Sequence, residues 1–158
     1  MVKNIVRAMA IGLIVLFAGS GQAHASGKDE AKTLVTRAAA FVKYQGKGKA
    51  LAEISKLKGT FDRGEIYVFA YDLQGVMLAH PKNPDLIGRN LIDVPDSDGI
   101  LFRKEIVEKA RVKGKGWVDY AYLNPETKEV EHKTTYLLKV GDIILCCGAY
   151  KEYSHDGD

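Results

Sequence analysis

Among the hydrophobic and polar positions along the chain, the clearest pattern runs from Ile66 to Asp72, where rings alternate with small apolar residues so that Tyr67, Phe69 and Tyr71 fall on one side of an extended chain and Val68 and Ala70 on the other. The pattern predicts a strand that serves two layers. Asp72-Leu73-Gln74-Gly75 reads as a turn, with Gly75 supplying a positive φ, and Val76–His80 returns as a second strand that Pro81 ends for want of an N–H. Upstream, Leu34, Val35, Ala38, Phe41 and Val42 recur at helical spacing and predict one long amphipathic helix from Lys28 to about Tyr44. Past Gly46 and Gly48, the residues Ala50, Leu51, Ile54 and Leu57 predict a short second helix, and Thr60–Gly64 an irregular approach to the first strand.

Downstream of His80, two prolines stiffen a loop over 81–88. Ile100, Leu101, Ile106, Val107 and Ala110 then predict a helix whose start Asp96 or Asp98 would cap. Three strands follow. Trp117–Leu123 sets Tyr120 and Tyr122 on one face and Trp117 on the other. Val130–Leu138 sets Lys133 and Thr135 on one side, Tyr136 and Leu138 on the other, unless a bulge intervenes. Ile143–Tyr150 is almost wholly apolar and is therefore expected at the centre of the sheet. These elements make an α+β fold: an antiparallel sheet of five to six strands with helices packed on one face and crossing one edge.

Composition narrows this. At 158 residues, with 46% hydrophobic and 27% charged, the chain supports one domain with a sizeable core. Lys3 and Arg7, the apolar run Ala8–Ala18 and Ala23-His24-Ala25 form an export signal, with cleavage expected after Ala25 and a mature domain over 26–158. The run is too short, and too broken by glycine, for a spanning helix. Loss of Lys3 and Arg7 takes the net charge from +3 to +1, leaving no electrostatic footprint for nucleic acid or anionic lipid.

Candidate chemistry is sparse. Cys146 and Cys147 are adjacent on a strand, so they point to opposite faces and read as two buried thiols. Asp96, Asp98, Gly99 and Glu105 imitate part of a calcium loop, but Val94 stands where the first ligand belongs, which favours capping over cation binding. His80, His132 and His155 have no metal-ligand spacing, and no nucleophile with an activating base is visible, so neither metal nor cofactor nor catalysis is expected. Lys133 stands out. In the middle of an apolar and aromatic strand its ammonium would be desolvated unless it met an anion.

YVFAYD, LAHP, LIGRN, DSDG ahead of a helix, GKGWVDYAY, KTTY and a closing CCGAYK, in that order over roughly residues 30–151, resemble the single Cache domain family of the second type. The resemblance implies a PAS-like sheet with the long N-terminal helix packed on one face, leaving the opposite face for a ligand, and an extracytoplasmic sensor that binds small organic acids of the acetate, propionate, pyruvate or lactate kind. It also implies that the histidine of LAHP and the lysine and tyrosine of KTTY meet the ligand. The expected site is therefore Lys133 on the carboxylate, His80 as a hydrogen-bonding partner, hydroxyls from Tyr71, Tyr120 and Tyr136, and Trp117 in the wall. Strict alternation opposes part of this, because it puts Lys133 and Tyr136 on opposite faces. The expected setting is periplasmic or secreted: a stand-alone binder that feeds a membrane receptor or kinase, and a homodimer through the N-terminal helix. The alternative is a structural or interaction module with a vestigial pocket.

Overall fold

A computed structural model describes residues 27–150; the export segment expected over 1–25 and the polar tail 151–158 lie outside them. Helix α1 (Gly27–Gln45) buries Ala31, Leu34, Val35 and Ala38, one seam at i, i+3, i+4 and i+7. Asp29 and Glu30 in its first turn and Lys43 in its last complement the helix dipole. Gly46, at φ 84°, breaks the helix and starts α2 (Lys47–Ile54). The α1 seam packs on Val68, Ala70, Tyr136, Leu145 and Cys147 of the sheet, forming a dry apolar layer.

The sheet has six antiparallel strands: β1 (Asp62–Arg63), β2 (Ile66–Asp72), β3 (Met77–Ala79), β4 (Lys115–Leu123), β5 (Val130–Val140) and β6 (Ile143–Tyr150). β1 and β3 share the outer edge of β2, and the order continues β2-β6-β5-β4. The apolar β6 thus lies between β2 and β5, as its composition requires. The sixth strand, β1, forms where the sequence predicted an irregular approach.

Helices cover both faces rather than one. Helix α3 (Phe102–Lys113) lays Phe102, Ile106, Val107 and Ala110 on the face opposite α1, against Tyr67, Phe69, Tyr71, Val118 and Tyr120. Its start also differs from expectation: Leu101 is the N-cap residue and no side chain caps the helix. The Asp96 carboxylate instead closes its own turn, accepting from the N–H groups of Asp98 (3.0 Å) and Ile100 (2.7 Å). Its other oxygen accepts from the N–H of Ala121 at 2.9 Å, which ties the loop ahead of α3 to β4.

The β2–β3 hairpin carries an irregularity that matters below. Asp72 Oδ1 accepts from the N–H groups of Gln74 and Val76, and Gly75 takes φ 86° where an added Cβ would meet Ile92 Cβ at 2.7 Å. Along the strands Ala70 pairs with Ala79 but Tyr71 with Met77, so Leu78 is an extra residue in β3. Without that bulge Met77 and Ala79 would face alike. With it, Ala79 joins the α1 layer, Met77 joins the α3 layer, and the next residue, His80, turns to the α3 side.

Candidate functional site

The α3 side of the sheet encloses a hollow lined by Tyr67, Phe69, Tyr71, His80, Phe102, Tyr120, Tyr122 and Lys133. The lining holds about 190 Å³ between atoms, yet no water-sized sphere fits as the side chains stand. Strand alternation builds the walls. Tyr67, Phe69 and Tyr71 come from one face of β2, Tyr120 and Tyr122 from one face of β4, and Lys133 from β5. Phe102, from α3, stacks on Tyr120 at 3.8 Å between centroids and 6° between planes.

Lys133 is fully buried. Its Nζ donates to the hydroxyls of Tyr67 at 3.1 Å and Tyr150 at 3.3 Å, and lies 4.2 Å and 4.5 Å from the centroids of the same two rings. Tyr150 Oη in turn donates a hydrogen bond to the carbonyl of Leu123 at 2.9 Å. Among the described residues no carboxylate forms an ion pair with Lys133. Phenol oxygens and ring faces stabilise an ammonium less than water does, so burial pulls the Lys133 amine down to about 7. The nearby Lys82 is treated differently: its ammonium pairs with Asp62 Oδ1 at 2.6 Å.

His80 is oriented by backbone. Its Nδ1 accepts from the N–H groups of Asn83 at 2.9 Å and Lys82 at 3.2 Å, so in the neutral ring the proton sits on Nε2. Burial, and then the charge of Lys133, hold the imidazole down to about 3. His80 is therefore a neutral hydrogen-bond donor at any ordinary pH. Tyr71 is held by Arg103, whose Nε donates to its hydroxyl at 3.2 Å while Nη1 donates to the carbonyl of Val94 at 3.1 Å. Tyr120 shares a 2.8 Å hydrogen bond with Thr135 Oγ1.

Of the residues expected from sequence, the hollow gathers Lys133, His80, Tyr71 and Tyr120. Trp117 and Tyr136 stand on the other face, 5.1 Å apart between ring centroids and in contact with the α1 layer. The β5 ladder runs without a register shift against both neighbours, so nothing turns Tyr136 toward Lys133. Sequence reasoning did not bring Tyr67, Phe69, Phe102, Arg103, Tyr122 or Tyr150 to the site. For Tyr67, Phe69 and Tyr122 the signal was present, since each shares a predicted face with Tyr71 or Tyr120. Phe102 and Arg103 depend on how α3 rolls against the sheet, which no local pattern encodes. Cys146 and Cys147 are buried thiols on opposite faces, and burial raises the second to about 12. Among the described residues no cluster of metal-ligating side chains forms, and no helix is long and apolar enough to cross a membrane.

Similar architecture occurs in sensor domains. A periplasmic sensor domain of a chemotaxis protein is 26% identical with a TM-score of 0.63, covering 78% of this chain and 90% of that one. A Cache chemosensory domain, described for its recognition of carboxylic acids, is 28% identical with a TM-score of 0.62, over 78% of this chain and 87% of that one. A methyl-accepting chemotaxis protein from Vibrio parahaemolyticus shares the fold at 22% identity and a TM-score of 0.67, covering 78% of this chain and 87% of that one. In sequence, 92 residues are 26% identical to the sensor histidine kinase MctS of Rhizobium johnstonii (strain DSM 114642 / LMG 32736 / 3841), 58% of this chain but only 20% of the kinase. Residues 2–152 match Single Cache domain 2, so the α+β sheet closed by helices on both faces is that of an extracytoplasmic sensor domain, and the chain belongs to the single Cache domain 2 family.

Proposed function

We propose that this domain binds a small organic acid of the acetate, propionate, pyruvate or lactate type in the α3-side hollow and passes the event to a separate receptor or kinase, without catalysis. One observation carries the reading: a fully buried amine, Lys133, held by two phenols and, among the described residues, by no carboxylate. A carboxylate guest would supply the missing anion, the Nε2 proton of His80 would take its second oxygen or an adjacent carbonyl, and the rings would cover its carbons. The carboxylic-acid recognition described for a Cache relative supports the same class of guest. A guest of about six heavy atoms is limited to roughly 9 kcal/mol, near a micromolar dissociation constant. The export signal read over residues 1–25 makes the setting periplasmic or secreted.

The test is calorimetric titration with these four acids. Binding by the unaltered chain with loss in Lys133→Ala supports the reading; undiminished affinity in Lys133→Ala overturns it. The tight fit of the side chains favours a second reading, an interaction module whose pocket is filled from within. A thermal-shift panel of carboxylic acids separates the two, since only the first predicts stabilisation by at least one acid.

A further inference from the structure

We propose that Gly148 is the positioning residue that sets where the Lys133 ammonium lies in the hollow. Gly148 sits on β6 opposite Thr135, two ladder positions from the pair Lys133 and Tyr150 and on the same face of the sheet. Its Cα faces the same layer as Ile144 and Cys146, the α3 side. A Cβ at this position would stand 2.1 Å from Lys133 Cε, 2.8 Å from Lys133 Cδ and 2.5 Å from Thr135 Oγ1. No real methyl tolerates such distances.

Backbone conformation does not explain the glycine, because Gly148 lies outside the left-handed region that Gly46, Gly64 and Gly75 occupy. Space explains it. The missing side chain leaves a notch in β6, the lysine stem lies down in that notch, and the ammonium is carried sideways to the hydroxyls of Tyr67 and Tyr150. A methyl at 148 would raise the stem into the hollow, moving the charge and using up room for a guest. It would also press on Thr135 Oγ1, the partner of the Tyr120 hydroxyl. The lysine end is flexible, so the chain can fold around the change by lifting that side chain.

The inference takes its ligand from the carboxylate reading above, while its structural half stands alone, and the experiment separates the two. Lysine-labelled protein is followed by NMR, with the Lys133 signals assigned from Lys133→Ala, in wild type, Gly148→Ala and the control Gly48→Ala, whose new methyl meets nothing within 4 Å. The same three proteins are titrated with acetate, propionate, pyruvate and lactate. Gly148→Ala is expected to shift the Lys133 Cε resonance and its titration midpoint and to weaken acid binding by about tenfold or more, since a charge-assisted bond depends on placement. Gly48→Ala is expected to change neither. Lys133 signals at wild-type values in folded Gly148→Ala would overturn the inference whatever the acids do. Displaced Lys133 signals in a protein whose wild type binds none of the acids would support the positioning and remove the carboxylate reading. Should Gly148→Ala fail to fold, recovery of the melting temperature on adding Lys133→Ala supports the inference, and no recovery overturns it.

Discussion

The two faces of this sheet are made by alternate residues of the same strands and do opposite work. Under α1 the strands present Val68, Ala70, Leu145 and Cys147, which meet Ala31, Leu34, Val35 and Ala38 with little polar function between them. Under α3 they present Tyr67, Tyr71, Tyr120 and Lys133, joined by His80, and hydroxyls, an imidazole and an ammonium replace methyl groups. The first face gains free energy from burial with no directional demand. The second hides an amine that no carboxylate among the described residues pairs with, a cost that apolar burial elsewhere in the domain offsets. If the proposed site is right, stability and recognition are separated by the period of a strand.

That separation can be broken or sharpened by substitution. The largest effect is expected on the dry face: Leu34→Ala removes a fully packed side chain and should destabilise by about 2–5 kcal/mol in denaturant melts, leaving acid affinity unchanged at temperatures where the variant is folded. A comparable loss of affinity in that variant would show the faces to be coupled. Next is Lys133→Ala, expected to weaken acid binding by about 1.5–3 kcal/mol, roughly tenfold to more than a hundredfold, with a melting temperature within a few degrees of wild type.

A smaller effect is pH-dependent, and its sign is fixed by the direction of the lysine shift. Folding lowers the Lys133 amine from 10.5 to about 7, so above pH 7 the unfolded chain holds a proton that the folded one has released, and stability rises with pH. Below pH 7 both states are charged and the burial penalty is fully present. Because Cys147 is raised from 9.0 to about 12 and works in the opposite sense near pH 9, the clean window is about pH 7 to 8.5. Wild type should gain stability across it, and Lys133→Met, which cannot titrate, should not. Acid affinity should fall over the same window with proton uptake on binding, measurable by calorimetry in buffers of different ionisation enthalpy. The smallest effect is Tyr136→Phe: its ring packs with Trp117 on the α1 side, so affinity should stay within about twofold. A large loss would mean that the hydroxyl reaches the guest.

What was legible in the sequence followed the strand period. The shared face of Tyr67, Phe69 and Tyr71, the common side of Lys133 and Thr135, and the central place of β6 all follow from alternation and apolarity. Alternation also separated Tyr136 from Lys133 and Trp117 from Tyr120; family likeness placed Tyr136 at the site, and the unbroken β4–β5 register places it with Trp117 under α1. The illegible parts are non-local. The bulge at Leu78 that turns His80 inward leaves no local signature in VMLAHP. Asp96 looks like a helix cap by spacing, yet its carboxylate goes to a strand twenty-five residues away. Arg103 reaches Tyr71 only because α3 packs on the sheet face that presents that hydroxyl.

The same Asp96 tether bears on how the protein behaves among its own copies. β4 ends the sheet, and an open margin of N–H and C=O groups invites another chain to add on. Here the outward N–H of Ala121 is taken by the Asp96 carboxylate and the outward carbonyl of Trp117 by the Lys109 ammonium at 2.5 Å. Two charges two strand repeats apart thus occupy the hydrogen-bonding positions that an incoming strand would need, and they blunt this margin against fibre-like stacking.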